Sequence, residues 1–261
     1  MEILIRPTTD LATDLAAGLV ADRLRARPDL VLGCATGRTM ENLYANLVER
    51  HRHDNLSFAR CVTFNLDEYV GLGADDPRSY HAYMREHLFR HVDIDPAHTH
   101  LPDGTADNLA GEAKHYEGQI AAAGGIDLQL LGLGESGHIG FNEPLSSLMS
   151  RTRQKALTPT TRKQNAEFFG GPDRVPARAL TMGVGTILEA REVLMVVLGS
   201  AKADILAKAT EGPITAMISA TALQLHPNCK VIVDEDAAVR LQGQDHYRWI
   251  FENEPEWEPY R

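Results

Sequence analysis

The stretch EVLMVVLG at residues 192–199 decides the fold, because its six central residues are apolar without interruption. A strand with one solvated face alternates apolar and polar residues, whereas a continuous apolar run is typical of a parallel strand covered by helices on both faces. Further strand candidates lie between longer amphipathic stretches: EILI (2–5), DLVLG (29–33), CVTFNL (61–66), IDLQLLGLG (126–134) and CKVIVD (229–234). This alternation predicts a doubly wound α/β fold with a mostly parallel sheet and helices on both faces.

The helical stretches begin at residues that favour helix N-caps. Thr9 precedes DLATDLAAGLVADRLRARP, Asp107 precedes NLAGEAKHYEGQI, and Ser200 precedes AKADILAKA. No internal repeat, low-complexity segment or linker divides the chain. We therefore expect residues 1–261 to form a single domain.

Two segments do not follow the alternation of strands and helices. Residues 143–180 are polar and basic and lack a clear period, which predicts a lid. Residues 245–261 carry both tryptophans of the chain. This C-terminal segment is expected to cover either the body of the protein or a neighbouring subunit, and periodicity does not choose between the two.

The composition excludes several classes of protein. Lys and Arg number 26 against 36 Asp and Glu, and the net charge of −10 contains no basic block, so nucleic acid is not an expected partner. No apolar run approaches the roughly 18 residues of a membrane span, and MEILIRPTTD lacks the features of a signal peptide. We therefore expect no membrane attachment and a cytoplasmic location. An anionic ligand would need a local basic pocket.

Cysteine and histidine spacing gives no sign of a metal site. The 3 cysteines lie far apart, within or beside apolar runs, and are predicted to be buried packing residues. The histidine pairs at 51/53 and 98/100 have no third ligand nearby. We therefore expect neither a bound metal nor redox chemistry.

In open parallel sheets, ligands bind beyond the carboxyl ends of the strands, so the turns after the apolar runs are candidate sites. The turn CATGRT at 34–39 offers the hydroxyls of Thr36 and Thr39 and the N–H groups around Gly37, which suit a phosphate at a helix N-terminus. Lys202 supplies a cation near another helix start. For this turn alone, a structural role for its glycine is the simpler interpretation.

Titratable side chains follow two other runs. Asp67 and Glu68 come directly after CVTFNL, where burial shifts a carboxyl pKa toward working pH. For this pair alone, a helix-capping Asp beside a solvated Glu is the simpler interpretation. The loop LLGLGESGHIGFNEP at 130–144 places His138 and Glu143 among four glycines, which packing does not require. We interpret this loop as catalytic.

Several blocks of sequence together resemble the glucosamine-6-phosphate deaminase family. They are VTFNLDEYVGL (62–72), GHIGFNEP (137–144), SRTR (150–153), ALTMGVGTIL (179–188) and LQLHP (223–227). The related 6-phosphogluconolactonases share a GH-containing turn but lack FNEP. The resemblance spans nearly the whole chain and implies a Rossmann-like α/β domain with a lid, no metal and no organic cofactor. It also implies hydrolytic, isomerising conversion of glucosamine 6-phosphate to fructose 6-phosphate and ammonia, in the catabolism of N-acetylglucosamine.

The resemblance implies roles for individual residues. Asp67 resembles the base that takes the C2 proton, and His138 resembles the group that opens the pyranose ring, with Glu143 holding or tuning it. The candidate residues for the phosphate of the amino sugar are Thr36, Gly37, Arg38, Thr39 and Lys202.

Three features depart from the family pattern. Ser136 stands where several members have Asp, two residues before His138. In the phosphate turn, Ala35 and Arg38 replace the usual Pro and Gly, and in the predicted lid Glu167 replaces an Arg. We hypothesise that the phosphate-binding guanidinium has moved from the lid to the turn, where Glu167 pairs with it. A changed substrate explains the same departures.

The resemblance also bears on regulation and assembly. Many members are activated by N-acetylglucosamine 6-phosphate at a subunit interface, and Ser146, Arg153 and Lys155 match that site, while Ala156 stands where Thr is usual. A solvated basic face explains the same residues. The family ranges from monomers to hexamers, and we expect a homo-oligomer whose size the sequence leaves open. The alternative functions are a 6-phosphogluconolactonase-like hydrolase and a non-catalytic sugar-phosphate-sensing module on the same fold.

Overall fold

Each of the apolar runs forms a strand, as predicted, in the computed structural model, which describes residues 1–261. The strands are β1 (Glu2–Arg6), β2 (Val31–Cys34), β3 (Val62–Asn65), β4 (Asp67–Tyr69), β5 (Thr99–His100), β6 (Leu128–Leu131), β7 (Arg153–Ala156), β8 (Arg178–Thr181), β9 (Glu192–Val197) and β10 (Cys229–Asp234). The helices are α1 (Thr9–Ala26), α2 (Arg38–His53), α3 (Tyr80–His87), α4 (Leu109–Ala122), α5 (Pro159–Gln164), α6 (Ala166–Phe169), α7 (Val184–Leu188), α8 (Ala203–Thr210), α9 (Glu235–Ala238) and α10 (Gln244–Asn253).

The central sheet contains seven parallel strands in the order β1-β10-β9-β6-β2-β3-β5. Every residue of β9 and β10 is buried. Because successive side chains of a strand point to opposite faces, both faces of the sheet are covered. The predicted doubly wound, Rossmann-like fold is confirmed.

The strand order reverses beside β2. From β2 the sheet continues through β3 and β5 on one side, whereas β6, β9, β10 and β1 lie on the other. The loops that leave the carboxyl ends of β2 and β6 therefore diverge, and the crevice between such loops is where open α/β sheets bind ligands. This topology brings the turn at 34–39 to the loop at 130–144.

The helices begin close to the predicted residues, with small corrections. Thr8, rather than Thr9, caps α1 through its side chain, and Asn108, rather than Asp107, caps α4. Adjacent residues of these types compete for one cap position, since each accepts a backbone N–H equally well. Ser200 opens a 3-10 turn that precedes α8 and makes no side-chain cap.

The predicted lid segment, residues 143–180, contains regular structure that its sequence pattern did not indicate. Strands β7 and β8 pair antiparallel, and β8 also pairs with β4, which forms a second sheet of three strands. A small apolar cluster that includes Tyr69, Phe141 and Phe169 packs apart from the main core. Pairing in the second sheet fixes both ends of the β7–β8 connection, and α5 and α6 lie within it.

The C-terminal segment covers the body of its own chain. Trp257 is fully buried, and its Nε1–H donates to Glu2 Oε2 over 3.1 Å. Trp249, in contrast, is 54 % exposed.

No helix combines the length and the apolar character needed to cross a membrane. The cysteines are buried and free, as predicted: Cys34, Cys61 and Cys229.

Candidate active site

A cavity of about 380 Å³ lies beyond the carboxyl ends of β2 and β6. The polar and charged residues of its lining, with Gly37 and Phe168, come from six segments of the chain: Thr36, Gly37, Arg38, Thr39, Asp67, Tyr80, Glu135, His138, Gln164, Asn165, Phe168 and Lys202. The structure therefore brings together the phosphate-turn residues, Lys202, Asp67 and His138. Ser136 and Glu143 do not line the cavity and lie behind His138.

The turn after β2 delivers a helix N-terminus to the cavity. Gly37 precedes α2 with φ of 106°, in the left-handed region that favours glycine, while a Cβ there would meet no neighbouring atom. Backbone conformation, rather than space, therefore requires this glycine. Helix α2 has 16 residues, and the positive end of its dipole favours an anion beside Thr36 and Thr39.

Two cations at the cavity supply the local positive charge that an anionic ligand would need in a chain of net charge −10. Lys202 is half-buried at the cavity, and burial lowers the pKa of its ammonium group, against the opposing charge of Glu135. Arg38 forms an ion pair with Glu167 of α6, as the sequence hypothesis expected, and the two side chains are 71 % and 73 % exposed. This pair joins the phosphate turn to the predicted lid.

Asp67 is a buried carboxyl group at the cavity wall. Burial, and then the charge of neighbouring Glu68, raise the pKa of Asp67 to about 8, while a hydrogen bond from Thr181 opposes them. A carboxyl group poised near neutral pH suits a general base. The interpretation as a helix cap beside a solvated Glu is wrong, because both residues belong to β4 and Glu68 is fully buried.

His138 is held from its Nδ1 side. Ser136 Oγ lies 2.7 Å from His138 Nδ1, and Glu143 Oε2 lies 3.8 Å from the same atom. The other ring nitrogen, Nε2, approaches Gly134 so closely that a Cβ there would collide with it. Burial lowers the pKa of His138, the charge of Glu143 raises it, and that of Lys202 lowers it. Ser136 is thus the direct partner of the ring.

Glu143 carries an unsatisfied buried oxygen. Its Oε1 accepts the Thr158 N–H over 2.9 Å, whereas Oε2 has no hydrogen-bond partner. A buried, unpaired carboxylate oxygen is costly, and a positive charge nearby reduces that cost. The arrangement therefore suits a histidine that gains a proton during the reaction.

The residues that resemble an effector site lie outside this cavity. Arg153 Nη1 donates to Asn142 Oδ1 over 2.9 Å, and Asn142 Nδ2 donates to the carbonyl of Ile139 in the His138 loop. Arg153 lines a second cavity of about 750 Å³, which Ser146 and Lys155 do not line. The Ser146 hydroxyl is buried without a hydrogen-bond partner.

Sequence reasoning missed several residues of the cavity. Gln164, Asn165 and Phe168 belong to the segment whose pattern shows no period, so nothing local indicated their direction. Tyr80 follows Ser79, a residue typical of N-caps, and that signal predicts a helix start but not the face it presents.

The protein thus has a Rossmann-like α/β fold. At the point where the strand order of its sheet reverses lies a pocket that combines acid–base side chains with two cations. The chain belongs to the family of glucosamine-6-phosphate isomerases and 6-phosphogluconolactonases, which it matches over residues 7–231.

Individual relatives cover nearly the whole chain. The glucosamine-6-phosphate deaminase of Hahella chejuensis is 48 % identical over 250 residues, which are 96 % of this chain and 95 % of the relative. That of Rhodopirellula baltica is 51 % identical over 241 residues, 92 % of this chain and 96 % of the relative. The solved structure of a monomeric glucosamine-6-phosphate deaminase is 43 % identical with a TM-score of 0.90, covering 92 % of this chain and all of that chain.

A 6-phosphogluconolactonase from Trypanosoma cruzi is only 22 % identical, with a TM-score of 0.75 over 92 % of this chain and 97 % of that chain. This likeness shows the fold alone.

Proposed function

We propose that this protein is an enzyme that converts glucosamine 6-phosphate and water to fructose 6-phosphate and ammonia, in amino-sugar catabolism. The observation that carries the proposal is the meeting of Asp67, His138, Arg38 and Lys202 in one cavity. Relatives that are 44–51 % identical over nearly their whole length and are named glucosamine-6-phosphate deaminase support it. The lactonase and sensor alternatives gain no comparable support, since the lactonase structures share only the fold.

The reaction needs only acids and bases. His138 transfers protons at the hemiacetal so that the pyranose opens to the amino aldehyde. Asp67 takes the C2 proton while the C1 carbonyl oxygen gains one, which gives an enolamine. A proton is then delivered to C1, which leaves a hydroxymethyl group at C1 and a protonated imine at C2. Water adds to the C=N bond, and ammonia leaves as the ketone of fructose 6-phosphate forms. Asp67 is suited to this step because burial keeps its affinity for a proton high.

Ser136 and Glu143 prepare His138 for its proton transfers. The hydrogen bond between Ser136 Oγ and Nδ1 holds the orientation of the ring and leaves Nε2 as the nitrogen without a hydrogen-bond partner, available to the substrate. When the ring gains a proton, the unpaired Oε2 of Glu143 stabilises the positive charge from 3.8 Å.

The phosphate group binds at the start of α2. Thr36, Thr39 and the backbone around Gly37 supply hydrogen-bond donors, and Lys202 and Arg38 supply charge. Arg38 takes the place of the lid guanidinium found in the family, and the phosphate competes with Glu167 for it. The β7–β8 connection acts as the lid, with Glu167 at its contact with the turn.

Regulation and assembly are part of the proposal. N-acetylglucosamine 6-phosphate binds at Ser146, Arg153 and Lys155 in a homo-oligomer, and Arg153 passes the effect to the His138 loop through Asn142. Titration of this effector against the initial rate at low substrate tests the site, and an unchanged rate contradicts it. Size-exclusion chromatography with light scattering tests the assembly, for which a single-chain mass is the contrary result. The free thiols fit a cytoplasmic location.

The deciding experiment measures release of ammonia and fructose 6-phosphate from glucosamine 6-phosphate. In Asp67→Asn, kcat is expected to fall on the order of 10²- to 10⁴-fold, because the variant lacks the base. Asp75→Asn is the matched control, since Asp75 is exposed and outside the cavity. Full activity of a folded Asp67→Asn contradicts the assignment of the base. If the protein hydrolyses 6-phosphogluconolactone and releases no ammonia from glucosamine 6-phosphate, the proposed function is wrong.

A further inference from the structure

Glu68 is a buried carboxylate that the reaction scheme above does not use. Its side chain is fully buried in β4, directly after Asp67. Because successive side chains of a strand point to opposite faces, Asp67 faces the cavity while Glu68 faces away from it, toward α3. A fully buried carboxylate is costly unless its surroundings satisfy it.

The surroundings of Glu68 satisfy both of its oxygens. Oε1 accepts the N–H groups of Tyr69, at 2.8 Å, and Tyr80, at 3.1 Å. Oε2 accepts the N–H of His81 at 3.1 Å and lies 3.0 Å from His81 Nδ1. When the carboxyl group is ionised it only accepts hydrogen bonds, and His81 Nδ1 is then the donor in this contact. Four donors, two to each oxygen, match the charged form of the side chain.

Two of these donors are the first residues of α3. Tyr80 and His81 begin the helix, where N–H groups lack partners within the helix and the dipole favours a negative charge. Glu68 therefore accepts the first two N–H groups of α3, while the Ser79 side chain caps the helix by accepting the Ala82 N–H. Tyr80 in turn lines the same cavity as Thr36 of the phosphate turn, and its hydroxyl donates to the Tyr69 hydroxyl over 3.3 Å.

We propose that Glu68 is a positioning residue: its carboxylate fixes the start of α3, and with it Tyr80, against the cavity, and its charge makes Asp67 a stronger base. This inference rests on the proposed function, in which Asp67 takes the C2 proton.

The charge of Glu68 acts on Asp67 in the same direction as burial. A neighbouring negative charge disfavours ionisation of Asp67 and adds to the effect of burial on its pKa. A carboxylate that holds a proton more tightly also removes one from carbon more readily. The other titratable or charged side chains around Asp67 are Arg38, Tyr69, Tyr80, Tyr116, Glu135, His138 and Lys202. On its far side, Glu68 meets His81, which also interacts with Asp103.

The test is the pH dependence of kcat/KM for glucosamine 6-phosphate. On the acidic side of the pH profile, kcat/KM rises as Asp67 loses its proton, and we call this rise the acidic limb. Glu68→Gln is expected to move the acidic limb to lower pH by on the order of one unit. Glu86→Gln is the matched control, because it removes a carboxylate from the solvent-exposed part of the same helix and leaves the limb in place. An unmoved limb in a Glu68→Gln protein with native circular dichroism overturns the proposal.

A second variant keeps the test decisive if Glu68→Gln does not fold. Glu68→Asp retains the charge but cannot reach all four donors, so kcat is expected to fall about 10- to 100-fold while the limb stays in place. A wild-type kcat in Glu68→Asp overturns the positioning role. If the wild-type protein releases no ammonia, the proposed function fails and this inference fails with it. Wild-type turnover with an unmoved limb in Glu68→Gln overturns this inference alone.

Discussion

Replacing Arg38 by Gln is expected to raise KM for glucosamine 6-phosphate with little change in kcat. Arg38 begins α2 at the cavity and is among the few cations near the phosphate turn. In the proposed function its guanidinium binds the phosphate rather than the reacting atoms, and it does so in both the ground state and the transition state. Such uniform binding affects KM rather than kcat.

The magnitude follows from the exposure of the side chain. A hydrogen bond to a charged group contributes about 1.5–3 kcal/mol, which corresponds to about 10- to 150-fold in KM. Because 71 % of the Arg38 side chain is exposed, water screens the contact, and we expect the lower end, about tenfold.

Replacing Glu167 is expected to change KM in the opposite direction. Its ion pair with Arg38 is as exposed as Arg38 itself, and exposed pairs contribute about 0.2–1 kcal/mol. The phosphate must displace this carboxylate, so Glu167→Gln is expected to lower KM by about 1.4- to 5-fold.

The assay is the initial rate of ammonia release at substrate concentrations on both sides of KM. Arg52→Gln is the matched control, because Arg52 forms a similar exposed pair with Glu49 at the other end of α2. An unchanged KM in Arg38→Gln refutes the relocated phosphate clamp. A raised KM in Glu167→Gln refutes the competition between Glu167 and the phosphate.

Three further predictions concern other parts of the molecule. The pKa of Asp67 is about 8 against an ordinary 3.8, so folding binds a proton and the wild type loses stability as pH rises between those values. Asp67→Asn, which cannot ionise, is expected to exceed the wild-type Tm by a margin that grows from pH 4 to pH 8; a margin independent of pH contradicts this. Ser136→Asp puts a carboxylate beside Nδ1 and is expected to raise the pKa of His138 in a proton NMR titration, with Ser136→Ala as control. Trp257→Ala is expected to cost about 3–5 kcal/mol in urea unfolding, whereas Trp249→Ala costs little, and equal losses contradict the different burial of the two rings.

The sequence alone determined the central sheet and the place of the site. Continuous apolar runs predict buried parallel strands, and such strands put their following turns at one edge, which made those turns the candidate sites. Local pattern alone indicated catalysis only for the His138 loop, whereas the roles of Thr36 and Asp67 came from the family resemblance. The burial of the cysteines followed from the same apolar runs.

Only the tertiary structure decided how the second sheet and its neighbours are arranged. The pairing of β4 with β8 joins segments more than 100 residues apart, and three-residue or four-residue strands carry too short a pattern to reveal such a pairing. From its sequence, Glu68 is predicted to be solvated, and only the structure shows that N–H groups of α3 donate to it. The sequence likewise does not distinguish Trp257 from Trp249, of which only Trp257 is buried against the body of the protein. Local periodicity records which face a residue takes, whereas long-range contacts decide what lies against that face.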